Sequence, residues 1–100
     1  MNLLTKAIEK KLEKNPIHSH AGEGLDAKLI VKFFNPTGAG TWLITEGEKL
    51  DDDWLLYGYC HIQEWEWGNV LLSDLKNYKG RFGLGIERDL YASGTVRENL

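Results

Sequence analysis

Val31-Lys32-Phe33-Phe34-Asn35-Pro36-Thr37-Gly38-Ala39-Gly40-Thr41-Trp42-Leu43-Ile44-Thr45-Glu46 decides the fold. Its two ends are rich in β-branched and aromatic residues, which suit a pleated, half-buried surface. Between them, Asn35 to Gly40 is dense in turn formers. The stretch predicts a β-hairpin, with one strand from Ala27 to Phe34 and the returning strand from Thr41 to Glu46. In the first strand Leu29, Val31 and Phe33 take one face. Ile30 and Phe34 share the other with the stems of Lys28 and Lys32.

Upstream of the hairpin, Leu3, Leu4, Ala7, Ile8 and Leu12 recur at helical spacing among lysines and glutamates. This predicts a docked amphipathic helix that stops near Asn15-Pro16, because a residue preceding proline is pushed out of the α region. His18 to Asp26 is polar and glycine-containing and is expected to be a loop, the most mobile part of the chain. Downstream, Gly47 to Asp53 reads as a second loop, and Trp54 to Ile62 as a third strand in which Tyr57, Tyr59 and His61 alternate with Gly58 and Cys60. A turn is expected within Gln63 to Asn69, and Val70-Leu71-Leu72 ends a fourth strand. Ser73 is a good N-cap for a short helix from Asp74 to Tyr78, stopped at Lys79-Gly80. From Phe82 onward periodicity leaves a short strand, an irregular crossover and a helical turn equally open. The fold class expected is therefore α+β: an antiparallel sheet of about four strands with an N-terminal helix and a second short helix. Residues 1–100 make one domain, divided into the helix (1–15), a loop (16–26), the sheet core (27–92) and a frayed tail (93–100).

One hundred residues suffice for one core without staples. The eleven aromatics, four of them Trp, could anchor it. A net charge of −3 and the lack of any Lys/Arg stripe argue against direct nucleic-acid binding. Cys60 is the single cysteine, so no internal disulfide is possible and a cytoplasmic location is expected. No signal peptide is legible at the N-terminus. No apolar run approaches the roughly 20 residues that span a bilayer.

No set of residues forms a reaction motif, and no cofactor is implied. His18 and His20, or Cys60 with His61, are too few and too poorly directed for a tetrahedral metal site. Cys60, mid-strand and far in sequence from any cation, reads as a core residue and not as a nucleophile. Glu46, Glu48, Asp51, Asp52 and Asp53, with Glu64 and Glu66, read as solvated carboxylates. Gly38-Ala39-Gly40 and Gly83-Leu84-Gly85 lack the following helix of a phosphate loop. Glu87-Arg88-Asp89 is the most distinctive charged cluster, either a structural ion pair or a ligand clamp. Trp54, Tyr57, Tyr59, Trp65 and Trp67 outnumber what one sheet face can bury. Exposed rings beside acidic residues make a binding surface, and Asp51, Asp52, Asp53, Trp54, Trp65 and Trp67 are its expected members.

From Leu29 to Tyr91 the chain resembles a family of small bacterial, plasmid and phage proteins, domain of unknown function family 2958. The similarity lies in ordered blocks: Val31 to Pro36, Thr41 to Glu46, Leu56 to Gly58, Leu72 to Leu75, and the closing Gly83-Leu84-Gly85-Ile86-Glu87-Arg88-Asp89-Leu90. The resemblance carries no catalytic residues. It implies a mobile-element or phage origin, and with it an expected function: a non-enzymatic protein that binds a host macromolecule, a protein or protein–nucleic-acid complex, as an anti-CRISPR-like inhibitor of bacterial defence. Two alternatives stand beside it. One is a ligand-binding domain or enzyme using Arg88 and Glu87; the other is a zinc-stabilised module.

Overall fold

The computed structural model describes residues 2–100. Helix α1 (Lys6–Glu13) precedes strands β1 (Val31–Phe34), β2 (Thr41–Leu50), β3 (Asp53–His61) and β4 (Trp65–Leu71). Helix α2 (Leu72–Asn77) and a two-residue strand, β5 (Glu87–Arg88), follow. The sheet order is β4-β3-β2-β1-β5, and every neighbouring pair is antiparallel. The fold is α+β, with five strands where about four are legible in the sequence. The fifth is too short to show a period and exists only through its pairing with Phe33 and Phe34.

The predicted hairpin is present, with Phe34 opposite Thr41. Its turn is organised by Asn35, whose Oδ1 accepts from the Thr37 main chain at 3.1 Å while its Nδ2 donates to the Ala39 carbonyl and the Tyr78 hydroxyl. Such side-chain turns are the local reason Asn precedes Pro-Thr-Gly. Helix α1 starts later than its hydrophobic period suggests. Thr5 caps it by accepting from the Ile8 amide, while Leu3 and Leu4 are buried ahead of it in non-helical chain.

Several expected boundaries are corrected. Residues 47–50, read as loop, continue β2, and only Asp51-Asp52 form the turn before β3. Three residues, 62–64, separate β3 from β4. The turn expected within Gln63 to Asn69 is confined to the start of that range, because Trp65–Leu71 pairs with Leu55–His61 of β3. Ser73 lies inside α2 and does not cap it. Its amide and hydroxyl donate to the Asp53 carboxylate, at 3.1 and 2.6 Å, so the cap comes from the adjacent strand. Residues 93–100 are not frayed. Val96 is fully buried, its amide donates to the Ala27 carbonyl, and the Leu29 amide donates to the Gly94 carbonyl. That pairing takes up Ala27 to Leu29, which is why β1 begins only at Val31.

The principal core lies between the helices and one sheet face. Leu12 of α1 and Leu72 and Leu75 of α2 meet Val31, Phe33, Trp42, Ile44, Trp54 and Leu56, with Ile86 closing one side. A second, smaller burial occurs on the opposite face, where Leu43 is enclosed and Ala27 and Val96 are buried in the paired terminal segments. Strand β2 is consequently buried on both faces from Trp42 to Gly47. Its register against β3 slips between Ile44 and Glu46, a β-bulge at Thr45. The bulge reverses the alternation: Ile44 faces the helices, yet so does Gly47, where a Cβ would meet Leu12. Glu46 is thereby turned to the other side of the sheet, paired with Tyr57.

Gly58 is what permits the bulge. A Cβ there would stand 1.9 Å from the Leu43 carbonyl oxygen and 2.8 Å from the Ile44 Cα, backbone atoms that cannot rotate away. Gly58→Ala is therefore expected to cost about 3 kcal/mol in urea unfolding. Gly68→Ala on β4, with nothing within 4 Å of its added Cβ, is expected to stay within about 0.5 kcal/mol of wild type. Equal midpoints for the two variants would contradict the close approach.

A pH dependence follows from Asp53. The hydrogen bond from the Ser73 side chain, then that from the Trp54 amide, hold its carboxyl below the ordinary 3.8. A depressed folded pKa gives stability that is present above 3.8 and is lost as pH falls through the folded value. The stability advantage of wild type over Asp53→Asn should therefore be full at neutral pH and shrink in acid below 3.8. Unfolding midpoints of both proteins across the acid range check this.

Candidate functional site

On the sheet face away from the helices, β3 presents Tyr57, Tyr59 and His61, and β4 presents Trp65 and Trp67, because alternate residues share a face. Register places Tyr59 opposite Trp67 and His61 opposite Trp65. The five rings form a continuous row. Centroids are 5.1 Å apart for His61–Trp65 and Tyr59–Trp65, 4.9 Å for Tyr59–Trp67 and 5.8 Å for Tyr57–Trp67. Contacts of this kind contribute on the order of 0.5–1.5 kcal/mol each beyond area burial, which favours these mutual orientations. Trp67 remains 37% exposed, and the other four are half-buried. The row lies along β4, an edge of the sheet.

At its Tyr57–Trp67 end the row opens into a pocket of about 310 Å³, roofed by the loop that carries His18 and His20 and floored by Thr45 and Glu46. Glu46 is only 3% exposed. Its Oε1 accepts from the His18 amide and its Oε2 from the His20 amide, both at 2.8 Å. The loop expected to be the most mobile part of the chain is thus tied to the central strand by a buried carboxylate. The His20 ring is held in turn, Nδ1 against Glu23 Oε2 and Nε2 against Asn15 Oδ1. Among the described residues, no lysine or arginine pairs with Glu46.

The residues expected to form one partner-binding surface are not together. Asp51 and Asp52 are exposed at the β2–β3 turn. Trp65 and Trp67 lie toward the opposite end of the sheet, opposite His61 and Tyr59. Asp53 and Tyr59 are six strand positions apart, or about 20 Å. Asp53 is engaged with Trp54 and Ser73. Trp54 is 3% exposed, in the helix-facing core, with its indole donating to Glu9. It is not part of the exposed ring row, because its even-numbered position on β3 places it with Leu56 and Gly58 and not with the tyrosines; its ring edge borders a groove on the helix side with Glu9 and Lys49.

Glu87, Arg88 and Asp89 alternate across the sheet edge. Arg88 donates through Nη1 to the carbonyls of Asn2 and Leu3, tying down the N-terminal segment. Asp89 pairs with Lys32 at 3.5 Å. Cys60 is partly buried, and desolvation first, then the Glu66 carboxylate, push its thiol up to about 12, far from a reactive thiolate at neutral pH. Among the described residues, no group of three or more His, Cys, Asp or Glu side chains could hold a metal ion. No helix there is long and apolar enough to cross a membrane.

Glu46 is the site residue that sequence patterning grouped wrongly, with the solvated acidic stretch that follows it. A charge at the end of the unbroken apolar run Trp42-Leu43-Ile44 was the available signal, but the bulge that re-aims it has no local signature.

No curated protein and no solved structure matches the chain. The model of a family described as "Protein of unknown function (DUF2958)" matches residues 3–98. The ordered blocks, from the hairpin to the closing Gly-Leu-Gly-Ile-Glu-Arg-Asp-Leu segment, thus lie in a match spanning nearly the whole molecule, and the chain belongs to the DUF2958 family.

Proposed function

We propose that this chain is a non-catalytic binding protein that grips a protein partner in a bacterial host through the aromatic row of β3 and β4. The observation that carries this reading is the row itself: five rings in stacked and tilted contact along the half-open part of that sheet face. Rigid Trp and Tyr side chains give large contact area at low entropic cost and dominate binding energy where they occur. Beside them the edge of β4 offers unpaired main-chain groups to a second chain. A phage or plasmid origin, and a defence complex such as a CRISPR nuclease as the target, agree with the kind of proteins the sequence resembles. The exposed Glu48, Asp51 and Asp52 would then speed encounter with a basic partner and would not form its central contact.

Affinity capture from a bacterial lysate tests this when run with three proteins in parallel. Replacing Trp65 and Trp67 together by Ala should lower recovery of any partner retained by wild type on the order of tenfold or more. Asp51→Asn with Asp52→Asn should lower it only slightly at physiological salt. A partner retained equally by the tryptophan variant, or turnover of a metabolite by the purified chain, would overturn the proposal.

A further inference from the structure

A buried carboxylate is expensive unless its charge is met. Glu46 is met by two main-chain amides, with no lysine or arginine of the described residues beside it. It nevertheless lines an open pocket whose side walls include Tyr57 and Trp67. We infer that this pocket is a receptor for a guanidinium group, the side chain of an arginine presented by the partner, which stacks on the Tyr57–Trp67 walls and pairs with Glu46.

The chemistry of each wall points the same way. An ionised carboxylate offers about four lone-pair sites. One amide bonds each Glu46 oxygen, so each oxygen keeps a second direction for a donor, the arrangement that a planar guanidinium fork satisfies through two parallel bonds. The Tyr57 and Trp67 rings both line the pocket and are stacked within 15° of parallel, centroids 5.8 Å apart; a face left over from that stack is the π surface a flat guanidinium would take. Guanidinium is also more weakly hydrated than an ammonium, so a half-enclosed site favours it over lysine. At about 310 Å³ the pocket is at the lower end of the range for ligand sites, suited to one side chain and not to a large cofactor. His18 and His20 also line the pocket, with their amides engaged by Glu46. The His20 ring is turned toward Asn15 and Glu23, so it does not fill the place of the cation.

This deepens the binding reading above, since the arginine belongs to the partner, but it can be tested without one. The isotope-labelled full chain is titrated with Nα-acetyl-arginine amide and followed by amide and indole NMR signals. The neutral citrulline analogue and the lysine analogue serve as comparisons. The arginine compound should give saturable shifts at His18, His20 and the Trp67 indole N–H. Citrulline should bind roughly tenfold more weakly, the worth of one partly desolvated cation–π contact, and lysine should also bind more weakly. Glu46→Gln should abolish the shifts. Because Glu46 also anchors the loop, Trp67→Leu is measured alongside it, as Trp67 lies outside the core and its loss should leave the fold intact. Absence of saturable shifts, equal binding of citrulline or lysine, or wild-type binding by Trp67→Leu would each overturn the inference. If arginine fails to bind while the Trp65/Trp67 variant still loses its partner, the pocket assignment falls and the aromatic surface stands. If arginine binds while capture is unchanged, the pocket stands and the surface reading falls.

Discussion

The close approach of β2 to β3 at Gly58 governs much of this molecule. There the Leu43 carbonyl and the Ile44 backbone occupy the space of a side chain, and immediately beyond, β2 carries an extra residue at Thr45. A bulge increases local twist and reverses the faces of everything that follows it. Without it, Glu46 would point with Ile44 into the helix-facing core, where a carboxylate has no partner. With it, Gly47 takes the core position under Leu12, and Glu46 joins Tyr57 on the far face. One backbone irregularity thus keeps the main core apolar and puts the Glu46 carboxylate beneath a loop whose His18 and His20 amides receive it.

The far face is covered unevenly, and that creates the site. Two segments remote in sequence lie close together: the loop around His18 to Ala27, whose His18 and His20 amides donate to Glu46 of β2, and the C-terminal residues from Gly94 to Val96, which pair with Ala27 and Leu29. They enclose Leu43, Thr45 and Glu46. The cover stops short of β3 and β4, where the aromatic row begins. A protein of this size has little surplus chain, and rings stacked on one another lose part of their hydration without needing a lid. The pocket is the step between covered and uncovered halves, which is why a buried carboxylate and two half-open rings share one cavity.

Charge and aromaticity, adjacent in the sequence around Asp51 to Trp54, diverge in space for a simple geometric reason. Antiparallel strands put each turn at the opposite end of the sheet from the next. The acidic β2–β3 turn and the β3–β4 turn near Trp65 are therefore separated by the length of β3. Within the acidic run itself the roles also differ. Asp51 and Asp52 face solvent, whereas Asp53 supplies the amide partner that α2 lacks from its own N-cap, since Leu71 has no side chain able to do so.

Local chemistry alone determined a good part of this protein. The hairpin from Val31 to Glu46, the amphipathic N-terminal helix, the alternation of Tyr57 and Tyr59, the short helix near Ser73 and the family blocks could all be read from residue type and spacing. Tertiary structure decided the rest. It formed β5 from two residues with no period of their own, extended β2 through a segment of turn-like composition, and docked the terminal residues through Val96. It also moved Trp54 inward and turned Glu46 toward a pocket. The division has a physical cause. Propensity and periodicity act over a few neighbouring residues, whereas register, bulges and the burial of chain ends depend on partners dozens of positions away.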